Sequence, residues 1–211
     1  MMRAKQHIGF ILAITLCLTF LSGGQVMAQH KDLQDHWAEK QISYWLEKGV
    51  IKGYPDGSFA PDNYITRAEF ITMTNSIFGF QAQKDVSFSD VSASDWFYRE
   101  IAKATAAGYL KGYKDNTVRP EQQITREEVA VLLCRLASLN TADSNAPAPS
   151  FSDAAAISSW AKPSIATAVK HRLMKGYPDG TFRPKGFATR AEALVALDKV
   201  FSYINPVIIT P

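Results

Sequence analysis

Three arginines occupy the same position in three near-identical motifs, and they are the residues best suited to bind an anion. The motifs are Thr66-Arg-Ala-Glu69, Thr125-Arg-Glu-Glu128 and Thr189-Arg-Ala-Glu192. Each threonine and glutamate has the spacing of a helix capping box, which predicts a helix that starts at the arginine. A cation at the first helical position is unfavourable by about 0.3–1 kcal/mol. Because this placement recurs at Arg67, Arg126 and Arg190, we expect the arginines to have a compensating role.

Anion binding is one such role. The start of a helix presents free N–H groups, and a guanidinium adds a two-pronged donor for carboxylate or phosphate. The alternative is that each arginine pairs with a neighbouring acid such as Asp32, Asp90 or Asp153. The sequence leaves both interpretations open.

Further candidate ligand-binding residues accompany each arginine. The lysine–glycine pairs are Lys52-Gly53, Lys111-Gly112 and Lys175-Gly176, the tyrosines that follow them are Tyr54, Tyr113 and Tyr177, and the preceding tryptophans are Trp37, Trp96 and Trp160. The glycines either let the chain turn or let a ligand approach the backbone. The aromatic rings either stack on a sugar or fill the core, and core packing is favoured for a tryptophan that starts an amphipathic helix.

The sequence contains no recognisable catalytic or metal-binding pattern. His30, His36 and His171 do not have the spacing of metal ligands. The Asp-Gly turns lack the alternating acids of a calcium loop, and no serine lies in a nucleophile-elbow context. We therefore expect no enzymatic activity, no cofactor and no metal.

The motifs belong to an internal repeat. Lys52-Gly-Tyr-Pro-Asp-Gly-Ser-Phe-Ala-Pro61 returns 59 residues later at Lys111 and a further 64 residues later at Lys175. A repeat of this length is the signature of one structural unit copied along the chain. It predicts three similar sites, or one site built from all three copies.

Each copy is predicted to form a helix, a loop and a second helix. The first helices are expected at about 37–48, 96–107 and 160–171, and the second at about 67–78, 126–138 and 190–203. Asp35, Asp95 and Ser159 are the predicted N-caps. Gly49 and Gly108 are predicted to end the first helices, and the third copy has Arg172 there. Since one helix pair cannot bury its own apolar face, the three pairs should pack together in a mostly α fold.

The N-terminus has the pattern of an export signal, predicted over residues 1–28. Arg3 and Lys5 precede an uncharged apolar run from Ile8 to Leu21, and Val26-Met-Ala28 has the small-residue pattern of a cleavage site. Without that segment, 21 basic residues stand against 20 acidic ones. This balance gives no support to nucleic-acid binding, which favours a basic surface. Cys134 would be the one remaining cysteine, and its apolar surroundings predict a buried thiol.

These motifs together resemble the S-layer homology (SLH) family, whose modules recur in triplets. The resemblance rests on Phe88-Ser-Asp90 and Phe151-Ser-Asp153, the tryptophans, the Gly-Tyr-x-Asp-Gly loops, and the Thr-Arg-x-Glu motifs. It implies a mostly α, pseudo-threefold arrangement with grooves between modules. It also implies non-covalent attachment to the cell wall through a secondary polysaccharide that carries pyruvate ketals. The resemblance also implies that Arg67, Arg126 and Arg190 hold the acid group. The aspartates Asp32, Asp90 and Asp153, the tryptophans and the Lys-Gly pairs line the sugar pocket.

The expected organisation follows from this comparison. Modules 1, 2 and 3 are expected at 29–87, 88–140 and 151–203, with a linker at 141–150 and a tail at 204–211. Module 1 departs from the pattern by having His30 where the others open with phenylalanine, and module 2 has Asn116 and Val118 in its loop. The expected protein is a secreted, cell-wall-bound carbohydrate-binding triplet without a cargo domain. A surface adaptor for a protein partner and, less favoured, a wall-active enzyme are the alternatives.

Overall fold

The computed structural model of the protein describes residues 30–141 and 150–206. Within them the chain forms six α-helices, with a short 3₁₀ helix before the first and another before the fifth. The α-helices are α1 (Glu39–Glu47), α2 (Arg67–Phe78), α3 (Tyr98–Ala106), α4 (Arg126–Leu136), α5 (Lys162–Lys170) and α6 (Arg190–Ile204). The predicted export signal, most of the predicted linker and the end of the predicted tail lie outside the described residues. None of the helices described is long and apolar enough to cross a membrane.

The second helix of each module starts as predicted. Helices α2, α4 and α6 begin at Arg67, Arg126 and Arg190, and each is preceded by a complete capping box. In the first of these, the Glu69 N–H donates to the Thr66 hydroxyl while the Glu69 carboxylate accepts from the Thr66 N–H at 2.8 Å. The capping function of the threonine and the glutamate is therefore confirmed in all three copies.

The start of each first helix is not where the sequence predicted it. Helices α1, α3 and α5 begin two residues after the tryptophans, and their N-caps are Ala38, Phe97 and Ala161, none with a capping side chain. The predicted N-caps Asp35, Asp95 and Ser159 are therefore wrong. At Asp95 the carboxylate instead accepts from the Ser92 N–H at 2.7 Å, which stabilises a turn ahead of the helix.

The helix ends and loop turns follow the predicted chemistry. Gly49 and Gly108 follow α1 and α3 with φ of 67° and 79°. Arg172 takes the same left-handed conformation after α5, with φ of 58°, so the third copy ends its helix the same way without glycine. In the module 2 loop, Asn116 adopts φ of 60° where module 1 has Gly57 at 85°. Asparagine tolerates this region better than most residues, and the turn is retained.

The three modules share one hydrophobic core. It extends from Leu33 to Val200 and includes one buried residue after each turn: Phe59, Val118 and Phe182. Helix α6 contacts α1, α2 and α4, so module 3 packs on both other modules. Cys134 is buried in the same core, as predicted. Because the core lies between residues 33 and 200, a protein that starts at residue 29 keeps all of it.

A closed ring of backbone hydrogen bonds joins the three modules. The Ile65 N–H donates to the Ala188 carbonyl at 3.0 Å, Ala188 to Ile124 at 2.9 Å, and Ile124 back to Ile65 at 3.1 Å. All three residues are buried. Each lies directly before a Thr-Arg-x-Glu motif, so the ring brings the starts of α2, α4 and α6 together. This cycle is compatible with the pseudo-threefold arrangement expected from the sequence.

Candidate functional site

The first N–H groups of the second helices are already hydrogen bonded. The Arg67 N–H donates to the Gln122 carbonyl at 2.9 Å, and the Ala68 N–H donates to the Pro120 carbonyl at 2.8 Å. Arg126 and Glu127 bond in the same way to module 3, and Arg190 and Ala191 to module 1. The expectation that these N–H groups are free for an anion is therefore wrong. They join each module to the next.

The motif arginines are buried at these joints. Arg67, Arg126 and Arg190 are only 5–6% exposed. Each Nε–H donates to a backbone carbonyl of the next module: Arg67 to Val118 at 2.7 Å, Arg126 to Phe182 at 2.9 Å and Arg190 to Phe59 at 2.9 Å. Each guanidinium also lies over the loop tyrosine of that module, with its carbon 4.8, 4.5 and 4.5 Å from the ring centres of Tyr113, Tyr177 and Tyr54.

The acid partners of the arginines are the capping-box glutamates of the next module. The ion pairs are Arg67–Glu128 at 3.3 Å, Arg126–Glu192 at 3.2 Å and Arg190–Glu69 at 3.6 Å. The sequence had suggested internal pairing with Asp32, Asp90 or Asp153, but among the described residues the arginines pair with the glutamates instead. Each glutamate thus caps its own helix and neutralises a cation from the neighbouring module.

The loop tyrosines complete these pairs. The hydroxyl of Tyr54 donates to Glu69 at 3.0 Å, and Tyr113 and Tyr177 donate to Glu128 and Glu192 in the same way. Burial raises the pKa of Tyr113 to about 12, and the bond to Glu128 adds to the effect. The tyrosines therefore remain protonated donors at neutral pH.

Glu128 remains ionised despite its surroundings. Burial disfavours its charged form, but the charge of Arg67 and the hydrogen bonds from Tyr113 and Thr125 outweigh burial and lower the pKa of Glu128. An ionised glutamate keeps the joint between modules 1 and 2 electrically balanced. A buried arginine left without such a partner would be costly.

The opening aspartates stabilise the loops. The Asp32 carboxylate accepts from the N–H groups of Phe59 at 2.9 Å and Ala60 at 2.6 Å. Asp90 and Asp153 bind the corresponding N–H groups of modules 2 and 3. The second residue of each bonded pair is a non-glycine residue with positive φ: Ala60 at 54°, Arg119 at 53° and Arg183 at 54°. Each aspartate therefore supports a strained backbone position, which costs of order 1–3 kcal/mol.

The glycine of each Lys-Gly pair has a packing role. A Cβ on Gly176 would lie 2.5 Å from the Phe151 ring and 2.7 Å from the Thr181 carbonyl oxygen. Phe88 contacts Gly112 in the same way, and His30 takes that place against Gly53. His30 thus substitutes for the opening phenylalanine of the other modules. The close contacts of these glycines are with the protein itself.

The repeated tryptophans lie on the surface. Trp37, Trp96 and Trp160 are 61%, 62% and 54% exposed. The expectation that they pack in the core is wrong. Because each helix starts two residues later than predicted, the tryptophan falls in the preceding turn, and the next residue is buried in its place: Ala38, Phe97 or Ala161.

Two grooves bring the remaining candidate residues together. Groove 1 has a volume of about 490 Å³ and is lined by Lys52, Gly53, Tyr54, Glu69, Thr72, Met73, Ser76, Trp96 and Arg190, with Val50 and Ile51. Groove 3 has the same volume and is lined by Lys175, Gly176, Tyr177, Glu192, Val195, Ala196, Lys199, Trp37 and Arg126, with Asp62, Leu173, Met174, Pro178 and Thr189. Each groove takes its loop and second helix from one module, its tryptophan from the following module and its arginine from the preceding one.

Some of the site residues predicted from the sequence line the grooves, and others do not. Each of the two grooves brings a lysine–glycine pair, an arginine and an exposed tryptophan together from different modules. By the same rule we expect Lys111-Gly112, Arg67 and Trp160 to line a third groove, which we call groove 2. The aspartates Asp32, Asp90 and Asp153 are not among the residues lining groove 1 or groove 3, and their carboxylates bond to the loop backbone instead.

Two groove components were not found from the sequence. The glutamate was assigned only a capping role, because its second partner comes from another module. Ser76 and Lys199, which lie nine residues after Arg67 and Arg190, also line the grooves. The signal that could have found them is their shared register after the motif arginine. Among residues 30–141 and 150–206, no group of three or more His, Cys, Asp or Glu side chains is placed to hold a metal ion.

Comparisons with known proteins place the chain in a family. The model of the S-layer homology domain matches residues 31–71, 87–130 and 150–194. The chain is 36% identical over 165 residues to an exoglucanase of Acetivibrio thermocellus, with 77% of this chain and 15% of the relative covered. It is 35% identical over 172 residues to an S-layer protein of Bacillus anthracis, covering 79% and 21%. It is 32% identical over 156 residues to a cellulosome-anchoring protein of Acetivibrio thermocellus, covering 71% and 34%.

This chain matches only one part of each of these relatives. The chain spans between about one seventh and one third of the length of these three relatives. The enzymatic relatives therefore match through their SLH segment, and that segment is an anchoring module of the cell surface. Each of the three family matches covers one copy of the sequence repeat. The chain belongs to the S-layer homology domain family.

Proposed function

We propose that this protein attaches non-covalently to the bacterial cell wall by holding an acidic, pyruvylated secondary polysaccharide in its inter-module grooves. The observation that carries the proposal is the pairing, across each described groove, of an exposed tryptophan from one module with a lysine-bearing loop from another. Family membership and the relatives named as S-layer and cellulosome-anchoring proteins support a role at the cell surface.

The groove residues divide the recognition of an acidic sugar among them. The tryptophan offers an exposed aromatic face on which a sugar ring can stack, with its N–H available as a donor. The exposed lysine offers three ammonium donors for a carboxylate. The arginine lies deeper, already bonded to glutamate, tyrosine and carbonyl, so it forms the base of the groove and positions the tyrosine loop.

Several grooves in one chain support binding to a repetitive polymer. The three modules share one core, so their grooves are held at fixed distances. Once one groove is occupied, a second repeat of the same polymer binds in an effectively intramolecular step, and overall binding can exceed that of a single site by about 10²–10⁴-fold. Attachment of this kind needs only weak individual sites.

Co-sedimentation with cell walls tests this function. We would compare the protein comprising residues 29–211 on the producer's purified walls and on walls stripped of secondary polysaccharide by acid. The informative variant is Trp37→Ala/Trp96→Ala/Trp160→Ala, because these side chains are exposed and their removal leaves the core intact. Tyr44→Ala is the matched control, since Tyr44 is 50% exposed and lines neither described groove.

The expected result is binding to intact walls that is lost on stripping, retained in Tyr44→Ala and lost in the triple variant. Equal binding to stripped walls would contradict the polysaccharide proposal and point to peptidoglycan. Binding that survives the triple variant would contradict the grooves as the binding site, and no binding to either kind of wall would favour the adaptor alternative. The exposed aromatic pair Tyr64 and Phe187, whose ring centres lie 5.6 Å apart beside the central backbone ring, would then be the first surface to test.

A further inference from the structure

One position on each second helix distinguishes the modules. The ninth residue after the motif arginine is Ser76 in α2, Arg135 in α4 and Lys199 in α6. Ser76 lines groove 1 and Lys199 lines groove 3. Arg135 uses one guanidinium nitrogen to donate to the Tyr109 carbonyl at 3.3 Å. The same position of the repeat therefore carries a hydroxyl in module 1, a guanidinium in module 2 and an ammonium in module 3.

Groove 3 contains two lysines whose charges are not neutralised by an ion pair. Lys175 and Lys199 both line it, and neither ammonium has an acidic group within 4 Å in the described parts of the chain. Burial lowers the pKa of Lys199, and the positive charge of Lys175 lowers it further. Like charges are thus held near each other in a partly apolar groove, and an anion between them would relieve the repulsion.

The acids near groove 3 are engaged elsewhere. Glu192 is paired with Arg126 at 3.2 Å. Asp198 favours the charged form of Lys199, but its carboxylate accepts the indole N–H of Trp45 at 3.0 Å. Asp62 lies at the groove rim, is largely exposed, and contacts His36 at 3.3 Å. Groove 3 therefore retains two ammonium groups that form no ion pair among the described residues.

Groove 1 is the natural control within the same molecule. Its arginine, Arg190, is paired with Glu69, and Ser76 takes the place of Lys199. Lys52 is the one lysine that lines it. The two grooves have equal volumes and the same Lys-Gly-Tyr loop, and groove 3 has two unpaired lysines where groove 1 has one, with the exposed Asp62 as its additional acid.

We propose that groove 3 is the stronger anion site of the two, in which Lys175 and Lys199 hold one acidic group of the wall polymer between them. Lys199 is then the residue that sets the preference for groove 3 over groove 1. This inference rests on the proposed function and makes it more specific, because it assigns the acid contact to lysines rather than to the buried arginines.

Exchanging the two residues tests the inference. Binding isotherms to purified walls would be measured for the wild type, Lys199→Ser and Ser76→Lys at about 0.05 M and about 0.5 M NaCl, where charge screening differs strongly. We expect Lys199→Ser to weaken binding about five-fold at the lower salt, which is the scale of one partly exposed charge pair. The difference should shrink at the higher salt. Ser76→Lys should strengthen binding by a similar factor, and Lys199→Arg should stay within about two-fold of the wild type.

The outcomes distinguish a failure of the inference from a failure of the proposed function. If the wild type fails to bind walls, the proposed function fails. If the wild type binds and Lys199→Ser binds equally at low salt, the function stands and the inference is overturned. A loss in Lys199→Ser that is the same at both salt concentrations would also overturn it, since a charge contact must be screened. Urea unfolding of each variant confirms that the fold is retained, and Ser76→Lys tests the same idea without removing any native contact.

Discussion

Grooves 1 and 3 are built on the same frame and present different surfaces. Both enclose about 490 Å³ and use a Lys-Gly-Tyr loop, a capping glutamate, a buried arginine and an exposed tryptophan. On the wall formed by the second helix, groove 1 has Thr72, Met73 and Ser76 where groove 3 has Val195, Ala196 and Lys199. The repeated motifs therefore fix the frame, and the residues between the motifs set what each groove can bind.

The loops beneath the two grooves differ as well. Two guanidinium groups lie over the Tyr177 ring, that of Arg126 at 4.5 Å and that of Arg183 at 4.1 Å from its centre. Tyr54 has Arg190 at 4.5 Å, and Ala60 takes the place of Arg183 in its module. Each cation over an aromatic ring contributes about 0.5–1 kcal/mol at an exposed site. The module 3 loop therefore has one stabilising ring contact that the module 1 loop lacks.

The largest loss of stability should come from replacing the buried arginines of the two grooves. Arg126 donates to two carbonyls and pairs with Glu192 at 3.2 Å, whereas Arg190 donates to one carbonyl and pairs with Glu69 at 3.6 Å. We expect Arg126→Ala to lower the free energy of unfolding by about 3 kcal/mol, because it removes a buried guanidinium with its hydrogen bonds and leaves the partly buried Glu192 unpaired. Arg190→Ala should cost less. Urea unfolding of both variants measures the difference, and a larger loss for Arg190→Ala would contradict this ranking of the joints.

Replacing the loop glycines should give the second-largest loss of stability. In Gly176→Ala the new Cβ would meet the Thr181 carbonyl oxygen at 2.7 Å, and in Gly53→Ala the Ser58 carbonyl at 2.5 Å. Backbone cannot move as a side chain can, so each substitution should destabilise the protein by about 1–3 kcal/mol. Gly186→Ala is the control, because its Cβ would lie 3.2 Å from the nearest atom. Thermal unfolding that ranks Gly186→Ala as the most damaging of the three would disprove the packing role.

Acid should weaken the joint between modules 1 and 2. The pKa of Glu128 is lowered from 4.5, so its ionised form stabilises the fold above about pH 4.5, and this contribution is lost as the pH falls through the lowered value. Glu128→Gln cannot titrate, and it should be less stable at pH 7 with a smaller loss of stability towards pH 3. Unfolding free energies measured from pH 7 to pH 3 test this, and parallel curves for the two proteins would show that Glu128 does not contribute.

The smallest effect should come from copying the module 3 loop into module 1. Ala60→Arg places a guanidinium where Arg183 lies over Tyr177, and all three residues at this position share a φ of 53–54°. We expect a gain of about 0.5–1 kcal/mol in unfolding free energy. Ala60→Gln has similar length without the charge and should give no gain. Equal stability of the two variants would mean that the ring contact with Arg183 contributes nothing.

Local features of the fold could be predicted because they depend on adjacent residues. The capping boxes at Thr66, Thr125 and Thr189 need only a threonine and a glutamate three residues later, and all three formed at the expected helix starts. The left-handed turn at Asn116 followed from the side chain itself. The repeat implied that the modules must pack together, and they share one core.

The features that were missed depend on contacts between modules. The N–H groups of Arg67 and Ala68 appeared free because their acceptors, the carbonyls of Gln122 and Pro120, lie more than fifty residues away. The tryptophans were assigned to the core because α1, α3 and α5 were expected to begin at them. Each of these helices begins two residues later, so the tryptophan lies in the turn before the helix and is not on its apolar face.

The central claim is that ligand binds in the grooves beside the exposed tryptophans, and NMR of the indole N–H groups tests it most directly. Trp37 and Trp96 line grooves 3 and 1, and the repeat predicts that Trp160 lines groove 2. Trp45 is buried with its N–H bonded to Asp198, and it serves as the internal control. On titration of the ¹⁵N-labelled protein with acidic polysaccharide fragments released from the walls, we expect the Trp37 signal to shift at the lowest concentration, the Trp96 signal to follow, and the Trp45 signal to stay constant. Binding to intact walls with no shift of the Trp37, Trp96 or Trp160 signal would contradict the account.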